Sequence, residues 1–201
     1  MNQKSRILII ANGESILNND YGEFIDKHPL VARINNYQIK GFEKQIGSKT
    51  DIWFNGANSK LKLQSAKYSD IIVLMPSQVI LKKEADLNGH VSKRLKLNKE
   101  EYTTVSLSNI QTFENQVGYN RLTTGLYSIL WALKNYNEVI IHGFDFFQES
   151  KAHYYDNSLS KLLIKNNIIK KGQKHNNILE KQFVNNLISE NKIKTLENIH
   201  E

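Results

Sequence analysis

Cysteine is absent from this sequence, which excludes a disulfide framework and any metal site that depends on thiolates. Internal repeats and low-complexity linkers are absent too, and no apolar run approaches the ~20 residues that a membrane-spanning helix needs. Residues 1–6 are polar and lead straight into a β-branched apolar run, so we expect no signal peptide. These absences predict a cytoplasmic protein, either free or peripheral at the inner face of a membrane.

An excess of positive charge is the clearest bulk property, with a formal net charge of +7. Such an excess is compatible with binding to nucleic acid, to an anionic membrane or to an anionic small ligand. Much of it lies in residues 82–99 and 161–174, mixed with Asn, Leu and Ile. Because no nucleic-acid-binding motif is recognisable, we interpret the charge as a solvated surface with some attraction to acidic glycolipids.

Short β-branched runs alternate with amphipathic segments along the 201 residues. This alternation predicts one domain, 1–201, built as a Rossmann-like α/β/α sandwich with a mostly parallel sheet and right-handed crossovers. The predicted strands are 6–11, 29–35, 51–54, 70–75, 139–141 and 193–196, with shorter ones at 79–81 and 103–107. Helices are predicted at 57–67, at 91–101, from Thr123 onwards and from His175 onwards. Residues 77–120 are predicted to form a lid or an acceptor-facing insertion, and 159–174 a mobile segment.

Three of the predicted strands end in asparagine, at Asn12, Asn35 and Asn55. The carboxyl ends of parallel strands meet at one edge of the sheet, so these amides predict a polar rim around a nucleotide. An amide both donates and accepts, which suits a ribose hydroxyl or a cytosine edge, although asparagine is also a common turn former. Gly13 lets the backbone turn tightly and approach a ligand, and Ser15 can cap the short helix that follows.

The stretch from 121 to 156 concentrates the remaining signals. Thr123-Thr124-Gly125 begins a helix whose first backbone N–H groups can face an anion, and its apolar residues repeat at helical spacing. The next strand ends at Gly143-Phe144, and the polar cluster His153-Tyr154-Tyr155-Asp156 follows. We expect the helix N-terminus, the strand end and the polar cluster to converge on one crevice.

Two of the six histidines are candidates for acid–base chemistry. His153 lies beside two tyrosines and an acid, and His175 begins an amphipathic helix. Histidine titrates near neutral pH and can therefore take or give a proton under working conditions. The other four belong to no cluster and are interpreted as structural or surface groups: His28, His90, His142 and His200.

These segments, in this order, resemble the motifs of sialyltransferases of glycosyltransferase family 29. The run from 123 to 145 resembles the small motif of that family, the cluster at 153–156 its motif III, and His175-x4-Glu180 its very small motif. Residues 11–15, 31–35 and 41–50 resemble the large motif. The bacterial sialyltransferases of family 42 share much of this layout and are the near alternative. Phe147 stands where family 42 typically has a phosphate-binding tyrosine, which favours family 29.

The resemblance implies a GT-A-like variant of the Rossmann-like fold. It also implies an inverting, metal-independent transfer of sialic acid from CMP-sialic acid to a hydroxyl of an acceptor glycan. His175 would be the base and His153 the contact to the departing phosphate, with Tyr154 and Tyr155 walling the pocket. The residues expected to bind the nucleotide are Asn12, Gly13, Ser15, Asn35, Asn55, Thr123, Thr124, Gly125, Gly143, Phe144 and Tyr154.

No metal or other cofactor is expected, because Asp145 is followed by two phenylalanines and forms no DxD motif. A helix dipole, His153 and hydroxyls can stabilise a departing phosphate monoester in place of a cation. Glu180 lies about 140° round a regular helix from His175, since five residues turn by about 100° each. It therefore cannot orient His175 from the same face, and we interpret it as a structural or capping carboxylate.

Several alternatives remain open from the sequence. The donor could be another CMP-activated acid, such as Kdo, pseudaminic acid or legionaminic acid. A non-catalytic nucleotide-binding module and a basic nucleic-acid-binding domain are the alternatives from other classes. The expected partners are a nucleotide sugar and an acceptor glycan or glycolipid, such as a bacterial lipooligosaccharide, and not nucleic acid. The acceptor, the linkage and the oligomeric state are left open.

Overall fold

The computed structural model describes residues 6–63, 66–145, 153–156 and 175–200. Its strands are β1 (Arg6–Ile10), β2 (Val31–Ile34), β3 (Ile52–Asn55), β4 (Asp70–Val73), β5 (Thr103–Thr104), β6 (Glu138–His142) and β7 (Lys194–Thr195). They form one sheet in the order β5-β4-β3-β2-β1-β6-β7, and every neighbouring pair in it is parallel. The predicted mostly parallel sheet is confirmed.

Both faces of the sheet are covered, as β1 illustrates. Ile7 and Ile9 pack into one hydrophobic cluster, whereas Leu8 and Ile10 pack into a second. Successive side chains of a strand point to opposite faces, so a strand that is apolar at every position must be buried on both sides. All four of these residues are at most 2% exposed. The α/β/α sandwich is therefore confirmed.

The helices cover the two faces of this sheet. They are α1 (Gly22–Lys27), α2 (Glu43–Ile46), α3 (Ser77–Lys82), α4 (Leu87–Leu95), α5 (Leu107–Val117), α6 (Thr124–Asn135), α7 (Asn177–Ser189) and α8 (Glu197–His200). Short 3₁₀ helices occupy Glu14–Asn18, Glu84–Asp86 and Lys99–Glu101. In the described part of the chain, no helix combines the length and apolarity that a membrane span requires.

The helix predicted at 57–67 is wrong, because the described residues there form turns. The side-chain oxygen of Asn55 accepts from the backbone N–H of Ala57 at 3.1 Å, and that of Asn58 accepts from Lys60 at 3.0 Å. Such local bonds from asparagine satisfy backbone groups that a helix would otherwise pair. The composition looked helical, but the asparagines favour turns.

Residues 77–120 also differ in detail from the prediction. The strand predicted at 79–81 lies inside α3, which begins directly after Pro76 at the N-cap. The strand predicted at 103–107 is only two residues long, and α5, capped by Ser106, was not predicted. The helix predicted at 91–101 is α4, which begins four residues earlier and ends before Lys96 in the left-handed conformation. The segment packs on the sheet, since β5 pairs with β4. The mobile segment predicted at 159–174 lies outside the described residues.

Candidate active site

The strand order reverses between β1 and β6, the pair from which the chain runs outward to both edges. Ligands of open α/β sheets bind at such a switch point, beyond the carboxyl ends of the strands. The pairing continues past both strands, since the N–H of Gly13 donates to the carbonyl of Gly143 at 2.9 Å. A cavity of about 550 Å³ opens at this edge of the sheet. From the predicted site it collects Asn12, Gly13, Asn35, Thr123, Thr124, Gly125, Gly143, Phe144, His153 and His175.

The N-terminus of α6 forms one wall of this cavity. Thr123 is its N-cap, and the Oγ1 of this residue accepts from the N–H of Leu126 at 3.2 Å. Thr124 and Gly125 follow in the first turn and line the cavity. The first N–H groups of a helix have no partners within it and carry partial positive charge, so this wall suits a phosphate.

Glu180 of α7 holds this N-terminus in place. Its carboxylate accepts from the N–H of Thr123 at 2.8 Å and from the Oγ1 of Thr123 at 2.5 Å. Burial raises the pKa of Glu180 to about 7, against the lowering effect of these two hydrogen bonds. The interpretation of Glu180 as a capping carboxylate is confirmed, and the helix that it caps is α6 rather than its own.

The loop after β1 is fixed by Asp145, which comes from the end of β6. The carboxylate of Asp145 accepts from the N–H of Ser15 at 3.0 Å and also from its hydroxyl. A Cβ on Gly13 would stand 2.3 Å from the carboxyl carbon of Asp145, so only glycine fits there. Ser15 was predicted both to bind the nucleotide and to cap a helix. It does not line the cavity, and Asp145 accepts from its backbone N–H inside the 3₁₀ helix.

The three asparagines at the strand ends have different surroundings. Asn12 donates from its Nδ2 to the carbonyl of Ile34 at 2.9 Å, which fixes its side chain between β1 and β2. Asn35 has a positive φ of 50°, and its Oδ1 accepts from the N–H of Gly56 at 3.1 Å. Both line the cavity. Asn55 is fully buried and does not line it, because its amide points back to the loop that follows β3.

His153 reaches the cavity, whereas the two tyrosines beside it lie behind the cavity wall. The ring of His153 stacks on Tyr155 with 5.3 Å between ring centroids. Tyr154 is 2% exposed and donates to the carbonyl of Gln38 at 2.6 Å, while the N–H of Gln38 donates back to its hydroxyl at 2.9 Å. Burial raises the pKa of Tyr154 to about 12. Tyr154 thus anchors the cluster to the connection after β2 and does not wall the pocket as predicted.

His175 lies just before α7 and also lines the cavity. Its Nδ1 is 2.8 Å from the carbonyl oxygen of Arg121. A carbonyl only accepts, so Nδ1 must donate, and in the neutral ring Nε2 then carries the lone pair. The hydrogen bond therefore selects the tautomer in which Nε2 can take a proton.

Residues 2–192 match the sequence model of Glycosyltransferase family 29 (sialyltransferase). The chain belongs to this family. Of the two families that its motifs resemble, family 29 is therefore the one confirmed.

Individual proteins of known identity are similar to this chain in sequence or in fold. The chain is 27% identical over 176 residues to an α-2,3-sialyltransferase 1 of Gallus gallus, covering 77% of this chain and 48% of that relative. It is 46% identical over 50 residues to a β-1,6-galactosyltransferase of Arabidopsis thaliana, covering 25% and 13% of the two chains. A crystal structure of a mammalian sialyltransferase superposes with a TM-score of 0.70 at 22% identity, over 96% of this chain and 69% of the other. The match thus spans about half the length of the Gallus gallus relative, and the shorter plant match spans a smaller part of that protein.

Three basic residues of this family 29 site were missed from the sequence. Arg121 lines the cavity directly before the α6 N-terminus, and His90 and Arg94 line it from α4. His90 was interpreted as a structural or surface group, and the structure places it at the border of the cavity. Burial, with smaller contributions from Lys83 and Arg94, lowers the pKa of His90. The i, i+4 spacing of His90 and Arg94 was the available signal, since it places both on one helix face.

Proposed function

We propose that this chain is an inverting, metal-independent glycosyltransferase that moves sialic acid from CMP-sialic acid to a hydroxyl of an acceptor glycan or glycolipid. Membership of family 29 supports the class of reaction. The observation that carries the proposal is the tautomer of His175, which faces the cavity with Nδ1 committed to the carbonyl of Arg121. A protein that only bound the nucleotide would have no need of a base at this position.

In the proposed reaction His175 acts as the general base. Its Nε2 takes the proton of the acceptor hydroxyl as the hydroxyl oxygen attacks the anomeric carbon of the donor. The bond from that carbon to the phosphate oxygen breaks, and the electron pair leaves with CMP. The charge that develops on the phosphate needs donors, which the α6 N-terminus and His153 would supply.

The scarcity of carboxylates among the described residues that line the cavity favours inversion. A retaining double displacement needs a carboxylate that can attack the donor sugar. Among the described residues that line the cavity, Asp145 is the one carboxylate. It accepts hydrogen bonds from both the N–H and the hydroxyl of Ser15, so it is held by the loop after β1. A single displacement needs only the base and the acceptor.

Asn12, Asn35 and Thr124 are the proposed contacts to the nucleotide, and all three line the cavity. CMP should raise the melting temperature without added metal, because a ligand that binds only the folded state stabilises it. The measurement is a thermal-shift panel of CMP, UDP and GDP with a chelator present. UDP belongs in the panel because one relative is named as a galactosyltransferase. Stronger stabilisation by UDP or GDP than by CMP would contradict the proposed donor.

The role of His175 is tested by His175→Ala. CMP affinity should stay nearly unchanged while transfer from CMP-sialic acid falls by roughly 10²–10⁴-fold, the usual contribution of a general base. Imidazole added to this variant should restore part of the transfer, which it would not do if the residue were only structural. Near-normal transfer in His175→Ala would end the proposed role. Wild-type protein that binds CMP but transfers none of the CMP-activated acids would favour the non-catalytic module.

A further inference from the structure

The imidazole of His153 borders the cavity from a four-residue turn, 153–156, and not from a helix or a strand. Asp156 closes this turn. Its Oδ2 accepts from the N–H of His153 at 2.7 Å, and its N–H donates to the carbonyl of His153 at 3.0 Å. These two bonds fix the backbone of the turn but not the χ angles of the imidazole. The orientation of the ring towards the cavity therefore depends on the side chains beside it.

Tyr155 lies directly against this imidazole. The rings of His153 and Tyr155 are stacked, with 28° between their planes and 5.3 Å between their centroids. Tyr154 meets Tyr155 edge to face, at 83° and 5.0 Å between centroids. Stacked and edge-to-face contacts are the arrangements that aromatic pairs favour. Because Tyr154 is buried and bonded to Gln38, the ring of Tyr155 has a fixed surface beside it.

The hydroxyl of Tyr155 fixes the far end of the same ring. It donates to the carbonyl of Asn36 at 3.0 Å. Burial, with a smaller contribution from Asp156, raises the pKa of Tyr155, so the hydroxyl stays protonated and can donate at neutral pH. Asn36 is itself held in place, since its Nδ2 donates to the carbonyl of Lys60 at 3.0 Å and its Oδ1 accepts from the N–H of Lys62 at 2.7 Å. The ring that carries the imidazole is thus tied to the connection after β2.

We propose that Tyr155 is a positioning residue that fixes the imidazole of His153 for its contact with the donor phosphate. This rests on the proposed function, in which His153 donates to the departing phosphate. Tyr155 does not line the cavity, so its effect on the donor must pass through His153. A side chain that is already held in its bound orientation loses less freedom on binding, and it stabilises developing charge without reorganisation. Loss of Tyr155 should therefore weaken CMP binding and slow the transfer.

The test is a double-mutant cycle between Tyr155→Leu and His153→Ala, measured as CMP affinity by calorimetry and as turnover of CMP-sialic acid. Tyr155→Leu alone should lower CMP affinity by about 3- to 10-fold. That is part of the loss of about 10- to 100-fold expected when the charge-assisted bond of His153 disappears. In the His153→Ala background, Tyr155→Leu should change the affinity by less than about twofold, because no imidazole is left to position. Tyr155→Phe keeps the stack and loses only the bond to Asn36, so its affinity should lie between those of the wild type and Tyr155→Leu.

Tyr102→Phe is the matched control. Tyr102 also donates to the carbonyl of an asparagine, Asn88, at 3.1 Å, and it does not line the cavity. Its loss should change CMP affinity by less than about twofold. An equal fall in affinity on Tyr155→Leu in both backgrounds would overturn the proposal, because a residue that is only structural weakens binding whether or not His153 is present.

NMR of the His153 ring in the protein without nucleotide keeps this test separate from the proposed function. The ring resonances should shift in Tyr155→Leu and stay in place in Tyr102→Phe. Unshifted His153 resonances in Tyr155→Leu would overturn the positioning role, whatever the protein binds. A wild type that binds CMP and transfers no CMP-activated acid would contradict the proposed function, and the cycle in CMP affinity would still decide whether Tyr155 acts through His153.

Discussion

Glu180 should make this protein less stable as the pH rises from about 4.5 to about 7. The carboxylate is fully buried, and burial raises its pKa from 4.5 to about 7. In that range the folded protein keeps a proton on Glu180 that the unfolded chain has already lost. Stability falls with pH wherever the folded state binds more protons than the unfolded state. The stabilising contribution is thus complete below the unfolded pKa and lost by the folded one.

The size of the effect follows from the two pKa values. Their separation is about 7 − 4.5 = 2.5, and each pH unit is worth about 1.4 kcal/mol, so the free energy of unfolding should fall by about 3 kcal/mol across this range. Glu180→Gln removes the titration and keeps the shape. Its carbonyl can still accept from the N–H of Thr123, and its amide can donate to the Oγ1 of Thr123.

The assay is urea unfolding of the wild type and of Glu180→Gln at pH 5 and pH 7.5. The variant should lose most of the pH dependence that the wild type shows and should be the more stable of the two at pH 7.5. Glu190→Gln is the matched control, since it removes a half-exposed acid at the other end of the same helix and should keep the wild-type slope. The same slope in wild type and Glu180→Gln would refute the reasoning.

Three further variants test other parts of the site and the fold. His153→Ala should weaken CMP binding and lower turnover, because His153 is proposed to contact the departing phosphate; unaltered CMP affinity would count against that contact. Gly13→Ala should destabilise the fold by about 1–3 kcal/mol, since the new Cβ must displace Asp145; an unchanged urea midpoint would contradict the close approach. Arg33→Met should cost at least about 2 kcal/mol, because the buried guanidinium donates to the carbonyls of Ile46 and Gly47; thermal unfolding would show a wild-type midpoint if those bonds contributed nothing.

The parts of the site that lie close together in sequence were predictable from it. Thr123 was predicted to begin a helix, and it does so as the N-cap of α6, because capping depends on residues only three positions apart. The apolar runs at β1 and β6 predicted buried strands for an equally local reason. His153 and His175 were selected by their neighbours along the chain, and both border the cavity.

The sequence by itself thus determined the main strands of the sheet, the helix start at Thr123 and the two candidate histidines, since periodicity and capping depend on neighbouring residues. Only the tertiary structure decided which side chains face the cavity. Tyr154 turned into the core because a carbonyl and an N–H of Gln38, 116 residues away, satisfy its hydroxyl. His90 came to the cavity because Val91 and Leu95, on the neighbouring face of α4, are buried in the core and fix the orientation of the helix. Such long-range packing has no signature in a local pattern, so which of these side chains border the cavity could be recognised only once the chain was folded.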